Sequence, residues 1–182
     1  MGKRVLKAEL SVKSIENLKK ELLDYKNNEL NRLLVKFTEE LFKIGIQVVD
    51  ERMNNASYKF DKDNIMSGAD PSHNTFVRIS KFGSNVKATL VVTGRELLFI
   101  EFGAGIHYNT PVGTSPNDYG VELGYTIGSY GHHHGLEEMW TYKDENGIDV
   151  VSYGTEATMP LWKAEVAIKQ QFISIAKSVF GS

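Results

Sequence analysis

A chain of 182 residues with 41% hydrophobic and 24% charged side chains falls in the range of an ordinary folded domain with one core, which excludes a disordered tail. Its 21 basic and 23 acidic residues are mixed along the chain and leave a net charge of -2, so no block of positive charge offers itself to a phosphate backbone. Cysteine is absent, which removes disulfides, thiolate metal sites and thiol catalysis together and fits a reducing cytoplasm.

No apolar run approaches the roughly 18 residues of a membrane span, and the first 14 residues lack the apolar core of a secretory leader. The expectation is a single domain over 1–182, with neither membrane nor sequence-specific nucleic acid as a partner.

Val5 to Val12 alternates weakly and predicts a strand or arm, after which Ser14 stands where a helix cap would, ahead of Ile15, Leu18, Leu22 and Leu23. Periodicity resumes after Asn27 and Asn28 with Leu30, Leu34, Phe37, Leu41, Ile44 and Val48, spaced alternately by four and three. That is one apolar stripe on a long helix, with Arg32, Lys36, Glu39, Glu40, Lys43 and Glu51 on its other faces. The polar run Asn54 to Asn74 shows no sustained period and reads as a connecting loop. Its aspartates lack the spacing, central glycine and closing glutamate of a calcium-binding loop.

Thr75 to Thr93 alternates about Lys81-Phe82-Gly83-Ser84-Asn85 and predicts a β-hairpin. Leu97 to Phe102 is a short apolar run that periodicity leaves open between strand and helical turn. The stretch 103–135 is crowded with glycine and carries Pro111 and Pro116, so it predicts a long loop. Tyr108, Tyr119, Tyr125 and Tyr130 give that loop adhesive aromatic surface suited to a partner. Trp140-Thr141-Tyr142 and Val150, Val151 and Tyr153 flank a turn-rich segment and predict a second hairpin. Pro160 opens a closing helix whose stripe is Leu161, Ala164, Ile168, Phe172, Ile175 and Val179. The fold class expected is α+β, with a long N-terminal helix and a C-terminal helix on an antiparallel sheet built from hairpins.

The residues closest to an active site are His132, His133 and His134 with Glu137 and Glu138, since imidazole and carboxylate are zinc ligands. Adjacent histidines between glycines cannot reproduce the two histidines four apart on one helix face that a zinc protease needs. His73 and His107 are further ligands only if folding gathers them. No Gly-x-Ser-x-Gly elbow, phosphate-binding loop or dinucleotide fingerprint occurs. Glutamates 101, 122, 137 and 138 are carboxylates whose separation the sequence does not give. No catalytic residue, metal or cofactor is expected, and the competing reading is a metal-dependent hydrolase built on His132–His134.

Three segments in order then carry a resemblance. Ile100-Glu101-Phe102-Gly103-Ala104-Gly105 is similar to an aliphatic-Glu-Phe-Gly-small-Gly signature, Trp140-Thr141-Tyr142 to a Trp-x-Tyr strand, and Ser152 to Ala164 to a closing motif of glycine and small residues before Pro160. Together they resemble the tail-completion, or neck, family of tailed bacteriophages, whose archetype comes from a lambdoid phage. The histidine triplet and the long insertion after Gly105 depart from that pattern.

The resemblance implies the same α+β layout and a non-enzymatic virion protein at the head-tail junction, assembled in the host cytoplasm. It implies a self-assembled ring, six-fold in the particle, between a connector or head-closure protein and the tail tube or tail terminator; a tail terminator or other tube-associated protein is the alternative. Interface candidates are Glu101, Phe102, Gly103, Gly105, Tyr108, Tyr125, Tyr130, Trp140 and Tyr142. For Glu101 and Phe102 a buried aromatic beside a charge capping a turn competes with partner contact; Gly103 and Gly105 read as backbone-conformation glycines. Trp140 and Tyr142 fit packing under the loop or exposure at an interface, and Trp162 a seal on the core.

Overall fold

The computed structural model describes residues 11–83, 85–105, 107, 122–123 and 138–181. The chain is α+β, as its periodicities predict. Helix α1, Val12–Asp24, is capped by Ser11, whose Oγ accepts the Ser14 N–H at 3.2 Å. The cap therefore stands three residues before the serine expected to supply it, because both serines have the right chemistry and only Ser11 lies outside the helix. Ser11 and Val12 belong to the start of this helix; residues 5–10 of the expected arm lie outside the described residues.

Asn27 and Asn28 do not break the helix. Tyr25–Leu30 forms a π-helical stretch that leads straight into α2, Asn31–Asn55. The amides bond along the helix instead of into a turn: Asn28 Nδ2 donates to Asp24 Oδ1 at 2.7 Å and Asn31 Nδ2 to the Asn27 carbonyl at 2.9 Å. The wider π turn takes up an extra residue, so the stripe of α1 resumes at Leu30 and Leu34 instead of rotating away.

On α2 the fully buried positions are Phe37, Leu41, Gly45, Val49 and Met53, every fourth residue. The expected Ile44 and Val48 are half-buried flanks. Gly45 sits at the centre because a Cβ there would come within 2.9 Å of Ile168 Cδ1, so the helices approach most closely at a residue that carries no apolar signal.

The polar run Asn54–Asn74 is not all loop. It holds strands β1, Lys59–Phe60, and β2, Ile65–Ser67. Asp61 shapes the turn between them, its Oδ1 accepting the N–H groups of Asp63 and Ile65 at 2.9 and 3.0 Å. Next come β3, His73–Phe82, and β4, Asn85–Gly94, paired antiparallel from His73↔Gly94 to Phe82↔Asn85.

The ambiguous run is helix α3, Leu97–Phe102. Strands β5, Trp140–Lys143, and β6, Asp149–Ser152, form the second hairpin, and α4, Pro160–Phe180, closes the fold. The sheet order is β1-β2-β6-β5, with β2 parallel to β6 and the other pairs antiparallel.

Helices α2 and α4 pack along their length, and the inner face of the β3–β4 hairpin lies on α2. One buried cluster gathers Val49, Met53, Ala56, Ala69, Ile100 and Ala164 under Leu90 and Val92. A second gathers Phe37, Leu41 and Val179, where Phe172 meets Phe37 edge-on at 5.1 Å while remaining 47% exposed. Such an edge contact contributes about 0.5–1.5 kcal/mol beyond area burial. Among the described residues no helix is long and apolar enough to cross a membrane.

Candidate functional site

Helix α4 begins without a local cap: Met159, in the left-handed region at φ 58°, precedes it and supplies no side-chain acceptor. Its first N–H groups need acceptors nonetheless. Glu101, at the end of α3, provides them, with Oε2 accepting the Leu161 N–H at 2.7 Å and Oε1 the Trp162 N–H at 3.1 Å. The carboxylate is 1% exposed, and a negative group at a helix start also meets the positive end of the helix dipole. The Ile100 carbonyl accepts from Thr158 and Met159 at 3.0 and 3.3 Å, which stitches α3 to the approach of α4.

Past Phe102 the chain turns through Gly103 at φ 80°, ψ 163°, a combination essentially restricted to glycine. Ala104 and Thr155 then exchange both backbone hydrogen bonds, at 2.9 and 3.0 Å. Gly154, at φ 86°, lies so close that an added Cβ would fall 2.1 Å from the Ala104 carbonyl oxygen. Over this crossing lies the Trp140 indole. Its ring carbons would sit 3.0 Å from a Cβ on Gly105 and 3.2 Å from one on Gly154. Thr155 Oγ1 donates to the Gly68 carbonyl and the Gly68 N–H to the Gly154 carbonyl, tying the crossing to the end of β2.

Glu101, Phe102, Gly103 and Gly105 are thus buried inside the chain. They build its internal joint and present no open surface, which matches the buried alternative for Glu101 and Phe102, although the carboxylate caps the start of α4 and not a turn. Trp140 is half-buried over that joint, and Tyr142 is 38% exposed with its hydroxyl 3.3 Å from Met66 Sδ. Tyr108, Tyr125, Tyr130 and the histidine triplet lie outside the described residues, as does most of the loop 103–135. Trp162 is half-buried in the first turn of α4.

Two polar clusters carry no sequence signal. The Tyr58 hydroxyl lies 2.6 and 2.7 Å from the two Glu96 oxygens, and Glu96 Oε2 also accepts the Asp70 N–H at 2.8 Å. Burial first, then the hydrogen bond and charge of Glu96, push the Tyr58 hydroxyl well above the ordinary tyrosine range. This phenol is a fixed donor and not an acid. In the other cluster His73 bridges β3 to α2, with Nδ1 2.6 Å from the Pro71 carbonyl and Nε2 2.9 Å from Asp50 Oδ1. Burial, the largest single influence, works to lower its pKa, but the hydrogen bonds of Asp50 and Pro71 and the Asp50 charge raise it above 6.5 on balance.

His107 stacks on Tyr153 at 4.7 Å, so His73 and His107 engage different partners. Among the described residues no three His, Asp or Glu side chains are grouped to hold a metal ion. A hollow of about 90 Å³ beside the joint, lined by Ser57, Lys59, Ser67, Glu156 and Thr158, is far below the ~300 Å³ at which small-molecule pockets start. The joint as described holds a carboxylate that accepts from two backbone amides and an indole seated on glycine backbone. No family model, curated protein or solved structure matches this chain.

Proposed function

We propose that this chain is a non-enzymatic structural protein of a tailed phage or phage-derived particle, of tail-completion or neck type. It joins a connector or head-closure ring to the tail tube or terminator. The observation that carries the reading is convergence. The three segments that resemble the neck family, far apart in sequence, meet in one joint: Glu101 caps the helix that Pro160 opens, Ala104 pairs with Thr155, and Trp140 covers Gly105 and Gly154. A pattern shared for a structural reason keeps together residues that touch, and these touch.

An assembly role also suits the outer surface. Phe82 at the hairpin tip is 69% exposed and Ile173 on α4 is 62% exposed, and such apolar groups serve contacts with neighbours. Copies arranged in a cyclic ring would use two different faces of each subunit.

Cryo-electron microscopy of the intact particle tests the reading. It expects density for the chain in a ring at the head-proximal end of the tail. Absence from the particle would refute it; a position at the tube end would favour the terminator alternative. Stoichiometric zinc in protein purified without added metal, with activity lost in His134→Ala, would favour the hydrolase instead.

A further inference from the structure

Helix α1 buries none of its 13 residues, although its sequence is strongly two-sided. Val12, Ile15, Leu22 and Leu23 are 75, 53, 48 and 48% exposed, and Leu18 is half-buried. Among the described residues its substantial contacts are with the π-helical stretch that follows it. Because α1, that stretch and α2 are one unbroken helix, α1 cannot fold back to hide its apolar face on its own core. A face of this kind in water needs a cover.

The spacing and the flanking charges say which. Ile15, Leu18, Leu22 and Tyr25 recur at three, four and three, the seam of a two-stranded coil with Ile15 and Leu22 at a and Leu18 and Tyr25 at d. In that frame Glu21 occupies g, and Lys19 and Lys26 occupy e. A parallel partner in register places Glu21 of one helix beside Lys26 of the other, twice over by symmetry. An antiparallel partner brings like flanks together, lysine to lysine and glutamate to glutamate. Charge selects the parallel arrangement.

We infer that α1 and the start of the π-helical stretch pair in parallel with the same segment of a second copy of this chain through Ile15, Leu18, Leu22 and Tyr25, with Glu21 against Lys26 fixing direction and register. The inference adds a self-contact to the assembly reading, one distinct from the ring contact, since a two-fold pairing uses the same face of both copies and a ring uses two different ones; it rests on that reading only for its place in a particle. A seam of about three turns is marginal by itself, so association is weak and depends on concentration.

The test is sedimentation equilibrium of the full chain. Reversible dimers are expected. Leu22→Asp should weaken association more than tenfold with an unchanged circular dichroism spectrum, since α1 contributes nothing to the buried core. Glu21→Lys should weaken it about twofold to fivefold, and adding Lys26→Glu should restore it. The natural chain has no cysteine, so Leu22→Cys gives a single thiol. A parallel seam sets it against its own copy, and mild oxidation should yield a disulfide-linked dimer.

A chain that stays monomeric at its highest soluble concentration overturns the inference, as does association indifferent to Leu22→Asp. Association that needs Leu22, but in which the Leu22→Cys variant forms no disulfide-linked dimer, overturns the parallel pairing. These measurements use isolated protein, so they can fail while the particle position stands, and the reverse.

Discussion

Replacing Glu101 by Gln removes a charge while keeping shape, so it leaves no cavity to confuse the result. One amide oxygen still accepts from the start of α4, but the new NH2 group faces the other N–H, donor against donor. In the native chain those two bonds are 2.7 and 3.1 Å long and their acceptor is 1% exposed. Loss of the charge at a partly or fully buried helix start removes up to about 2 kcal/mol. A buried N–H deprived of its acceptor costs about 1–3 kcal/mol.

The two effects overlap, giving an expected loss of roughly 2–4 kcal/mol. In a chain of this length that lowers the melting temperature by roughly 5–15 °C. Urea unfolding followed by circular dichroism should show a lower midpoint at unchanged slope, because the same surface is exposed on unfolding. A loss below about 0.5 kcal/mol, the range of ordinary surface substitutions, would refute the capping role of this carboxylate.

Gly154→Ala should cost roughly 2–5 kcal/mol, from a positive φ and from a Cβ placed 2.1 Å from the Ala104 oxygen. Gly147→Ala, also at positive φ but with nothing near the new carbon, should cost only about 1–2 kcal/mol; equal losses in thermal melts would discount the backbone crossing. His73, with its folded pKa above 6.5, is bound more tightly as the cation. Its stabilisation is complete below the unfolded value and fades as pH rises through the folded one. The stability gap between the native chain and Asp50→Asn should therefore narrow as pH rises above about 6.5, with the His73 proton resonances titrating lower in the variant. A gap that widens with pH would reverse the argument.

The two long helices and the β3–β4 hairpin were legible because each repeats its pattern over many residues. Strands β1 and β2 were not, since two and three residues carry no period and β2 depends on β6, far along the chain. The run Leu97–Phe102 is helical, a choice its own composition does not make. At the joint, Glu101 and Gly103 stood out as a motif and the turning role of Gly103 followed from residue type, but the sequence offered Glu101 a turn to cap, whereas it caps the start of α4, 60 residues on. Tyr58 with Glu96 and His73 with Asp50 stayed invisible because their partners lie 38 and 23 residues away, with no motif linking them.

The cap on α4 also sets an order of events during synthesis. The acceptor for the Leu161 N–H was made 60 residues earlier, whereas Met159 beside it offers none. As the α4 segment leaves the ribosome, the carboxylate its first turn needs is already part of the chain. A chain stopped before Pro160 lacks the two amides that this carboxylate accepts from in the complete fold, so those two hydrogen bonds are made only once α4 is present.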